Sequence, residues 1–473
     1  MKALIGRQKE IKALDRCMQS GRSEFVILYG RRRVGKTFLI NQYFDNKFTF
    51  RFVGTRNSTR EVQLQNFAKT LKEYSNSAFV PEITDWFDAF YKLEEYLRSV
   101  KTKKKKVVFF DEMPWMDTQK SRFVTALEYF WNSWADHTGD IVFIACGSAT
   151  SWIVEKIIKN RGGLYCRATA HLYLRPFTLA ETEQLCNASG FNWDRFQIAQ
   201  AYMVLGGVPY YYTLLNKKLS LAQNIDALFF SSKNAPLRVE FNELFASLFD
   251  NYEKYLAVID VLAERREGFT RSEVSQRTSI VGTGLTTILE NLERCDFIIA
   301  YSGFKGGKNN QIYRLCDFYT LFYYHFAEKH KYKDTEFWEK SSDKPVVTSW
   351  QGFSFELVCL LHLSQIKKAL GISGIATSST TWRSKDRTSQ VDLVIERADR
   401  RVNLVEIKFS KNQYVITNDY DMKLRNRMGQ FQSETKTKYG VNYIFITTYG
   451  VSNAYGHSIV GADIKLDDLF DDL

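Results

Sequence analysis

One short motif near the N-terminus limits more than any other feature what this chain can fold into. Its residues fit the pattern G-x-x-x-x-G-K-[ST] and run Gly30, Arg31, Arg32, Arg33, Val34, Gly35, Lys36 and Thr37, with Phe38 next. An apolar, β-prone run at residues 25–29 precedes the motif, and the helical pattern FLINQYF follows it. The sequence therefore predicts a strand, a phosphate-binding loop and a helix in this order.

The spacing within this motif suits a bound triphosphate. Glycines at both ends let backbone N–H groups turn toward phosphate oxygens. Lys36 can reach the terminal phosphates and stabilise charge there, and the Thr37 hydroxyl can bind Mg²⁺. We therefore expect residues 30–38 to bind ATP with Mg²⁺.

Two further apolar runs end in polar residues that can complete such a site. VVFFDE places Asp111, a second Mg²⁺ ligand, and Glu112, a group that can polarise the attacking water, at the end of a predicted strand. IVFIACGS ends at Ser148, which can contact the terminal phosphate. The alternatives are a surface glutamate and a serine that only forms a turn.

The order of strands and helices predicts an α/β chain of several domains. Strands separated by helices such as SRFVTALEYFWNSWADH indicate a parallel sheet covered by helices. The 473 residues leave room for two to four domains. We expect a nucleotide-binding core at 1–175, a helical domain at 176–250, a winged helix-turn-helix at 251–335 and an α/β module at 336–473.

The first half of the chain resembles a known family. IGRQKEIKAL, the phosphate motif, VVFFDEMPW, CGSATSWI, LYLRPFTLAE and GGVPYYY, in this order, are similar to AAA+ and STAND-related ATPases, particularly the archaeal-type ATPases. The resemblance implies that Ile5, Gly6 and Arg7 lie near the adenine, and that Pro209 packs against the base from a helical lid. Without it, residues 206–209 indicate only a helix break.

Arginines after the third strand leave the oligomeric state open. Related ATPases often place an arginine finger there, and Arg161 and Arg167 are the candidates. Arginines on solvated helix ends are equally common. A homo-oligomer formed through the ATPase core is therefore one of two interpretations.

Residues 252–315 show the rhythm of a winged helix: three helices and a Gly- and Asn-rich hairpin. Val274, Ile280, Leu285, Ile288, Leu289 and Leu292 are the predicted core. The residues expected to face a nucleic-acid groove or its phosphates are Thr283, Thr286, Thr287, Asn291, Arg271, Lys305 and Lys308. Packing within the chain is the alternative role of this segment.

Carboxylates and a lysine stand on two predicted strands near the C-terminus. SQVDLVIE carries Asp392, and NLVEIKF carries Glu406 and Lys408. In an antiparallel pair these side chains share one face and can converge on one Mg²⁺ and one water. Lysine can orient or deprotonate that water and stabilise charge.

The same segment resembles the PD-(D/E)xK nucleases, which have a restriction-endonuclease-like fold. The resemblance implies a metal-associated acid at Glu356, on a helix at 352–370, and a weaker contact from Gln430 to the metal water or substrate. Val391 stands where a proline often precedes the first acid. The alternatives are a solvated polar face on two ordinary strands, or a nuclease fold without activity.

We expect a nucleic-acid partner, with DNA placed before RNA, because the composition is basic; a basic balance that serves only solubility is the alternative. The formal charge is +12, and an excess of basic residues favours polyanions. No secretory apolar segment and no run of about 18 apolar residues is present. The seven cysteines form no CxxC pair. We expect a cytoplasmic protein with reduced thiols and no membrane association.

Three functions remain in view. The first is an ATP-hydrolysing protein that acts on nucleic acid, with a metal-dependent DNA nuclease domain. The second is a STAND-type signalling or defence switch whose C-terminal domain only binds a partner. The third is a transcription-like regulator that uses the winged helix.

Overall fold

The structure is a computed structural model, and it describes residues 4–148, 152–158, 167–249, 251–304, 311–330, 334–452 and 457–472. Arg161, Lys305 and Lys308 lie outside the described residues. The chain divides into two compact units. The first comprises Met1–Arg175 and Ala246–Asp250, and the second Pro176–Phe245 and Asn251–Leu473.

A parallel sheet of five strands forms the first unit, in the order β2-β3-β4-β1-β5. The strands are β1 Glu24–Tyr29, β2 Phe50–Val53, β3 Lys106–Asp111, β4 Ile141–Gly147 and β5 Ala170–Tyr173. The predicted parallel-sheet core with a phosphate loop after its first strand is confirmed. The sequence pattern did not reveal β2 and β5, which are the short edge strands.

Five helices cover this sheet: α1 Gln8–Gln19, α2 Lys36–Tyr43, α3 Arg60–Ser75, α4 Trp86–Ser99 and α5 Phe123–Phe130. Alternation along each strand divides the side chains between two cores. Phe25, Phe110 and Phe143 pack with α3, α4 and α5 in an aromatic core. Val26 and Phe109 face the opposite core, with α1 and α2. The carboxyl ends of β1, β3 and β4 therefore present Gly30, Asp111 and Ser148 at one edge of the sheet.

The second unit begins with helices α6 Leu179–Ala188, α7 Arg195–Leu205, α8 Pro209–Thr213, α9 Leu221–Ile225 and α10 Pro236–Ala246. Three of them start at a capping box, in which the cap side chain and the N3 side chain bond each other's backbone N–H groups. The pairs are Thr178 with Glu181, Asp194 with Gln197, and Ser220 with Gln223.

Three helices and a small antiparallel sheet follow. The helices are α11 Tyr252–Ala263, α12 Arg271–Thr278 and α13 Gly282–Arg294, and the strands, in the order β6-β8-β7, are β6 Phe269–Thr270, β7 Ile298–Tyr301 and β8 Ile312–Leu315. Val274, Leu285, Ile288, Leu289 and Leu292 are buried as expected, and Ile280 is only partly buried.

Asn291 corrects the expectation of an outward-facing α13 residue. It is 4% exposed, and its side-chain amide donates to the Tyr255 hydroxyl at 2.9 Å. A buried amide needs such a partner, and α11 supplies it. Thr283, Thr286 and Thr287 are exposed, in agreement with the expectation.

The last part of the second unit holds a mixed five-stranded sheet in the order β13-β12-β11-β10-β9. Its strands are β9 Thr377–Arg383, β10 Gln390–Arg397, β11 Arg401–Lys408, β12 Gly440–Thr447 and β13 Val460–Lys465. Among the described residues, further α-helices of the unit are α14 Phe318–Phe322, α15 Pro345–Leu361, α16 Leu363–Ala369 and α17 Asn418–Thr435. The antiparallel pairing of β10 with β11 is confirmed.

The single helix expected at 352–370 is wrong. Two helices, α15 and α16, meet at His362 with a bend of 76°. The His362 ring bonds the Val358 carbonyl oxygen at 2.8 Å and accepts from the Leu179 N–H at 3.0 Å. A contact with a residue far away in the sequence therefore fixes the break.

Within the described residues, no single helix is long and apolar enough to cross a membrane. The bent pair α15 and α16 passes the same length and composition test only when taken together.

Candidate functional site

The phosphate loop has the backbone that its glycines permit. Gly30 has φ 147°, and a Cβ there would lie 2.3 Å from the Leu174 carbonyl oxygen, so only glycine fits. Gly35, with φ 92°, is the N-cap residue directly before α2. The loop thus turns tightly between β1 and α2 and leads into the N-terminus of a helix, which is the end that favours an anion.

Lys36 lies inside this loop. Its side chain is 5% exposed, and Nζ donates to the carbonyl oxygens of Gly30 at 2.9 Å and Arg31 at 2.8 Å. These oxygens hold the ammonium at the mouth of the loop, where phosphate oxygens can compete for it.

Thr37 and Asp111 meet across the edge of the sheet. The Thr37 hydroxyl donates to Asp111 Oδ1 at 3.1 Å, and the Glu112 N–H donates to the same oxygen at 3.1 Å. Burial and the Glu112 charge raise the pKa of Asp111. A hydroxyl and a carboxylate oxygen are hard donors, so this pair fits Mg²⁺.

Glu112 is bound to Ser148. The Ser148 hydroxyl donates to Glu112 Oε1 at 2.9 Å, and the Ser148 N–H lies 3.4 Å from Oε2. Glu112 itself adopts a left-handed backbone with φ 48°. Glu112 and Ser148, which were predicted separately at the ends of two strands, are therefore hydrogen-bonded to each other beside Asp111.

The other predicted nucleotide residues have distinct environments. Gly6 and Arg7 are buried and both have φ 61°, and Ile5 is partly buried. Arg7 donates to the carbonyl oxygens of Arg175 at 2.8 Å and Val34 at 3.0 Å. This ties the residues before α1 to the phosphate loop. Pro209 lies in the second unit, at the start of α8.

Within the loop, Arg31 and Val34 are buried, and Arg32 and Arg33 are partly buried. Phe38 on α2 is 42% exposed. Arg167, the finger candidate that the structure describes, pairs with Asp136 at 3.7 Å.

The sequence did not single out Arg51, which also reaches the site. This β2 residue places Nη2 3.6 Å from Asp111 Oδ2, with its guanidinium 5.5 Å from the Phe109 ring centroid. The signal was weak because β2 is short and its pairing with β3 had to be known first.

A second group of charged residues lies on β10, β11 and neighbouring helices. Glu406 is 8% exposed and accepts from Lys408 at 2.9 Å, from Arg427 at 2.8 Å and from the Tyr420 hydroxyl. Burial raises the pKa of Glu406, but the two cations outweigh burial, so its pKa is lowered. Burial lowers the pKa of Lys408, yet Glu406 and Tyr420 raise it overall, so this lysine stays an ammonium.

Asp392 and Glu356 complete this C-terminal carboxylate cluster, defined here as Glu356, Asp392 and Glu406. Because Leu393 pairs with Val405, the next step along the strands places Asp392 opposite Glu406. Gln390 donates to Asp392 Oδ1 at 2.6 Å. On α15, burial and the Asp392 charge raise the pKa of Glu356 to about 8. The structure therefore brings the predicted acids together with Lys408.

As arranged, this cluster does not fit a metal ion. Among the residues that the structure describes, no group of three or more His, Cys, Asp or Glu side chains is placed to hold one. The Glu406 oxygens already accept from two cations and a tyrosine. Gln430 donates to Asp386 and Glu434 instead of contacting the cluster acids.

The nucleic-acid candidates on α12 and α13 form a local network. Arg271 donates to the Gly282 carbonyl oxygen at 2.7 Å and to the Thr286 hydroxyl at 3.2 Å. Thr283 and Thr287 are exposed beside it. These contacts are compatible with a polar surface and do not by themselves identify a ligand.

A comparison with known protein families gives a match for the first part of the chain. Residues 4–215 match the family model described as an ATPase domain predominantly from Archaea. For these residues, the part of the sequence resemblance that concerns an archaeal-type ATPase domain is confirmed. Such a domain implies a site for ATP.

Two proteins of Methanocaldococcus jannaschii are similar in sequence. The uncharacterized protein MJECL04 is 23% identical over 411 residues, which are 86% of this chain and 87% of that protein. The uncharacterized ATP-binding protein MJ0423 is 44% identical over 43 residues, which are 9% of this chain and 73% of that protein.

Two solved structures are similar in part. The Walker-type ATPase PABY2304 of Pyrococcus abyssi has a TM-score of 0.48 and 16% identity, covering 67% of this chain and 95% of that one. The Aeropyrum pernix ORC2 protein, in its ADPNP-ADP complexes, has a TM-score of 0.42 and 16% identity, covering 67% and 92%.

Proposed function

We propose that this protein binds and hydrolyses ATP with Mg²⁺. The observation that carries the proposal is the 3.1 Å contact between the Thr37 hydroxyl and Asp111 Oδ1, at the mouth of a loop that holds the Lys36 ammonium. A magnesium ion bound there neutralises phosphate charge. The ATPase domain match at residues 4–215 supports the same function.

Each side chain of this site has one role in the proposal. Residues 30–38 bind the phosphates, and Lys36 stabilises the terminal ones. Thr37 and Asp111 hold Mg²⁺, and Glu112 orients and accepts a proton from the attacking water. Ser148 fixes the Glu112 carboxylate. Ile5, Gly6 and Arg7 contact the adenine.

Lys36→Ala tests this proposal directly. The variant loses the two charge-assisted hydrogen bonds that Lys36 makes to phosphate oxygens in this proposal, at about 1.5 kcal/mol each, so the Kd for ATP should rise about 100-fold. The matched control is Lys92→Ala, because Lys92 is a lysine of α4 in the same unit that pairs with Glu95 at 3.1 Å. Unchanged ATP turnover in purified Lys36→Ala, compared with that control, would overturn the assignment.

The second proposed function is action on nucleic acid, with DNA as the partner. The winged helix at 251–335 is the proposed reader, through Thr283, Thr286 and Thr287. The domain at 336–473 is the proposed PD-(D/E)xK nuclease, with Asp392, Glu406 and Lys408 as catalytic residues and Glu356 beside them. The favouring observation is the position of Asp392 opposite Glu406 on paired strands.

Plasmid cleavage separates this nuclease from the alternative, a STAND-type switch whose C-terminal domain only binds. Wild type and Glu406→Ala are incubated with plasmid DNA and Mg²⁺ or Mn²⁺, with and without ATP. Cleavage that Glu406→Ala loses supports the nuclease. Intact ATP hydrolysis without cleavage under any of these conditions favours the switch.

A homo-oligomer formed through the ATPase core is also part of the proposal. In it, Arg167 of one copy contacts the terminal phosphate of the ATP bound to a second copy. Sedimentation with and without ATP tests it, and an ATP-independent monomer at all concentrations contradicts it.

A further inference from the structure

A groove of about 950 Å³ lies in the first unit between helix α1 and strand β5, the last strand of the sheet. Its volume is in the range of ligand-binding sites. The lining carries three exposed cations, Lys9, Arg16 and Arg22, and two carboxylates, Glu10 and Glu24. This cavity is separate from the residues assigned to ATP, and it is called the α1–β5 groove below.

A fourth cation stands directly behind the lower end of the groove. Lys105 Nζ donates to the Cys17 carbonyl oxygen at 2.9 Å, to the Ser20 hydroxyl at 2.7 Å and to the Arg22 carbonyl oxygen. All three acceptors are uncharged, and the first two residues line the groove. The Lys105 ammonium therefore adds positive charge to this end of the groove.

The carboxylates near these cations are mostly paired. The Glu24 side chain is 5% exposed and accepts from Arg22 Nε at 3.1 Å. Asp140 lies 3.0 Å from Lys106 Nζ. Glu10, on α1, is the other acid of the lining. Cations therefore outnumber carboxylates around the groove, and the excess charge favours an anionic ligand.

A lysine-rich loop continues the positive surface beyond the groove. Lys101, Lys103 and Lys104 of this lysine loop, residues 101–104, are exposed, and Lys105 follows them directly. The Lys105 contacts thus tie the loop to the end of α1. A run of lysines alone is usually a solvated segment, but this run adjoins a cavity that is itself positive. An extended anion explains both features better than a small one.

The dimensions of the groove favour a single strand over a duplex. A helix packed on its neighbouring layer lies roughly 10 Å from it, whereas the major groove alone of a DNA duplex is about 12 Å wide. A duplex is therefore too broad to enter. A single strand can follow such a positive groove with its phosphates and leave its bases unpaired.

The lower end of the groove is far from the phosphate loop. Arg22 and Lys105 stand just before β1 and β3, whereas Gly30 and Asp111 stand at the carboxyl ends of these strands. A strand of six residues spans about 20 Å, which is roughly twice the screening length at physiological salt. Changes of charge at this end should therefore leave the ATP site unaffected.

We propose that the α1–β5 groove and the lysine loop bind single-stranded nucleic acid through its phosphates. The inference rests on the second proposed function for the class of partner. It assigns to the first unit a contact that does not involve the winged helix. Arg16 in the groove and Lys103 in the loop are the cations chosen for the test, because both are exposed.

Fluorescence anisotropy with a labelled thymidine oligonucleotide of about 20 nucleotides, longer than common site sizes, tests this site. The variant is the full chain with Arg16→Gln and Lys103→Gln. Its Kd should rise at least about tenfold. The slope of log K against log salt should also fall in magnitude by roughly 1.4, because about 0.7 is lost with each phosphate contact. ATP turnover should equal that of wild type.

The matched control is Lys69→Gln with Lys72→Gln. It removes the same charge from α3, which packs on the opposite face of the sheet from α1. Equal losses of affinity in the control and in the groove variant show a general charge effect and overturn the groove. If the groove variant does not fold, Lys103→Glu in the exposed loop decides, and wild-type affinity in that variant overturns the groove.

The groove and the second proposed function fail in different ways. If Thr287→Glu weakens oligonucleotide binding and the groove variant does not, the winged helix is the contact and the groove is refuted. Binding to a duplex alone also refutes the groove. Binding to neither form refutes both. A loss in the groove variant, without duplex binding or plasmid cleavage by wild type, keeps the groove and refutes the winged-helix reader and the nuclease.

Discussion

Glu112 and Ser148 come from the ends of two different strands and form one hydrogen-bonded pair. Each lies at the carboxyl end of its own parallel strand, and their 2.9 Å hydrogen bond fixes the Glu112 carboxylate next to Asp111. A base needs a defined orientation toward its water, and a hydroxyl donor provides it.

Glu112→Gln tests whether the Glu112 carboxylate is the general base for the attacking water. The amide keeps the size of the side chain and can still bond Ser148, but it cannot accept a proton. We expect ATP affinity within about threefold of wild type and a fall in kcat of roughly 100-fold or more. Nucleotide binding is measured by fluorescence and turnover by phosphate release. A normal kcat would show that another group activates the water.

Ser148→Ala tests the orienting role separately. The carboxylate stays but loses its donor, so kcat should fall about tenfold while the KM for ATP changes little. Thr138→Ala is a suitable control, because Thr138 bonds the Ser23 hydroxyl in the same unit, at 3.1 Å. An equal loss in both variants points to a general structural effect.

At the scale of elements, the phosphate loop depends on how closely β1 and β5 approach. The two strands are parallel neighbours, and the chain just after them brings Leu174 against Gly30. Strand pairing and loop conformation are thus coupled through a single position that has no room for a side chain.

Gly30→Ala should break this coupling. The added Cβ meets a backbone oxygen at 2.3 Å, and φ 147° is strained for alanine. We expect a loss of about 3 kcal/mol in the free energy of unfolding and a large loss of ATP affinity. Gly21→Ala is the control, since nothing lies within 4 Å of a Cβ there. Urea unfolding of both variants checks the difference, and equal stability contradicts it.

The break between α15 and α16 makes a prediction about pH. Burial lowers the pKa of His362 to about 4. The neutral form of the ring is also the form that accepts the Leu179 N–H. The imidazole of His362 binds a proton more readily in the unfolded chain than in the folded one. The contribution of His362 to the free energy of unfolding is therefore complete above about pH 6.5 and is lost as the pH falls toward 4. The loss is about 3 kcal/mol.

His362→Asn isolates that contribution. The variant is expected to be less stable at neutral pH and to approach the wild type in stability near pH 4. Urea unfolding at several pH values measures the difference. A constant difference between the two proteins from about pH 7 to about pH 4 would falsify the role of His362 protonation.

For the whole molecule, the +12 formal charge predicts a salt-sensitive partner. Binding to a DNA duplex through only two phosphate contacts weakens about tenfold between about 50 and about 200 mM salt. We expect at least this dependence in fluorescence anisotropy, and a weaker affinity for Thr287→Glu, which adds a negative charge to an exposed position of α13. Salt-independent association contradicts a phosphate-based interface.

Much of the candidate nucleotide site could be predicted from the sequence because its parts are local. Residues 30–38 and Asp111 with Glu112 are contiguous motifs at strand ends, and parallel strands bring their carboxyl ends to one edge. Alternation likewise placed Asp392, Glu406 and Lys408 on one face of a strand pair. These inferences need only the short-range geometry of strands and loops.

The tertiary structure alone decided what depends on residues far apart in the sequence. Burial of Asn291 needs Tyr255, the helix break at His362 needs Leu179, and the Arg51 contact with Asp111 needs the β2–β3 pairing. Sequence determines the local conformation and chemistry of each segment, whereas burial and charge pairing arise from packing between segments, which sequence patterns do not encode.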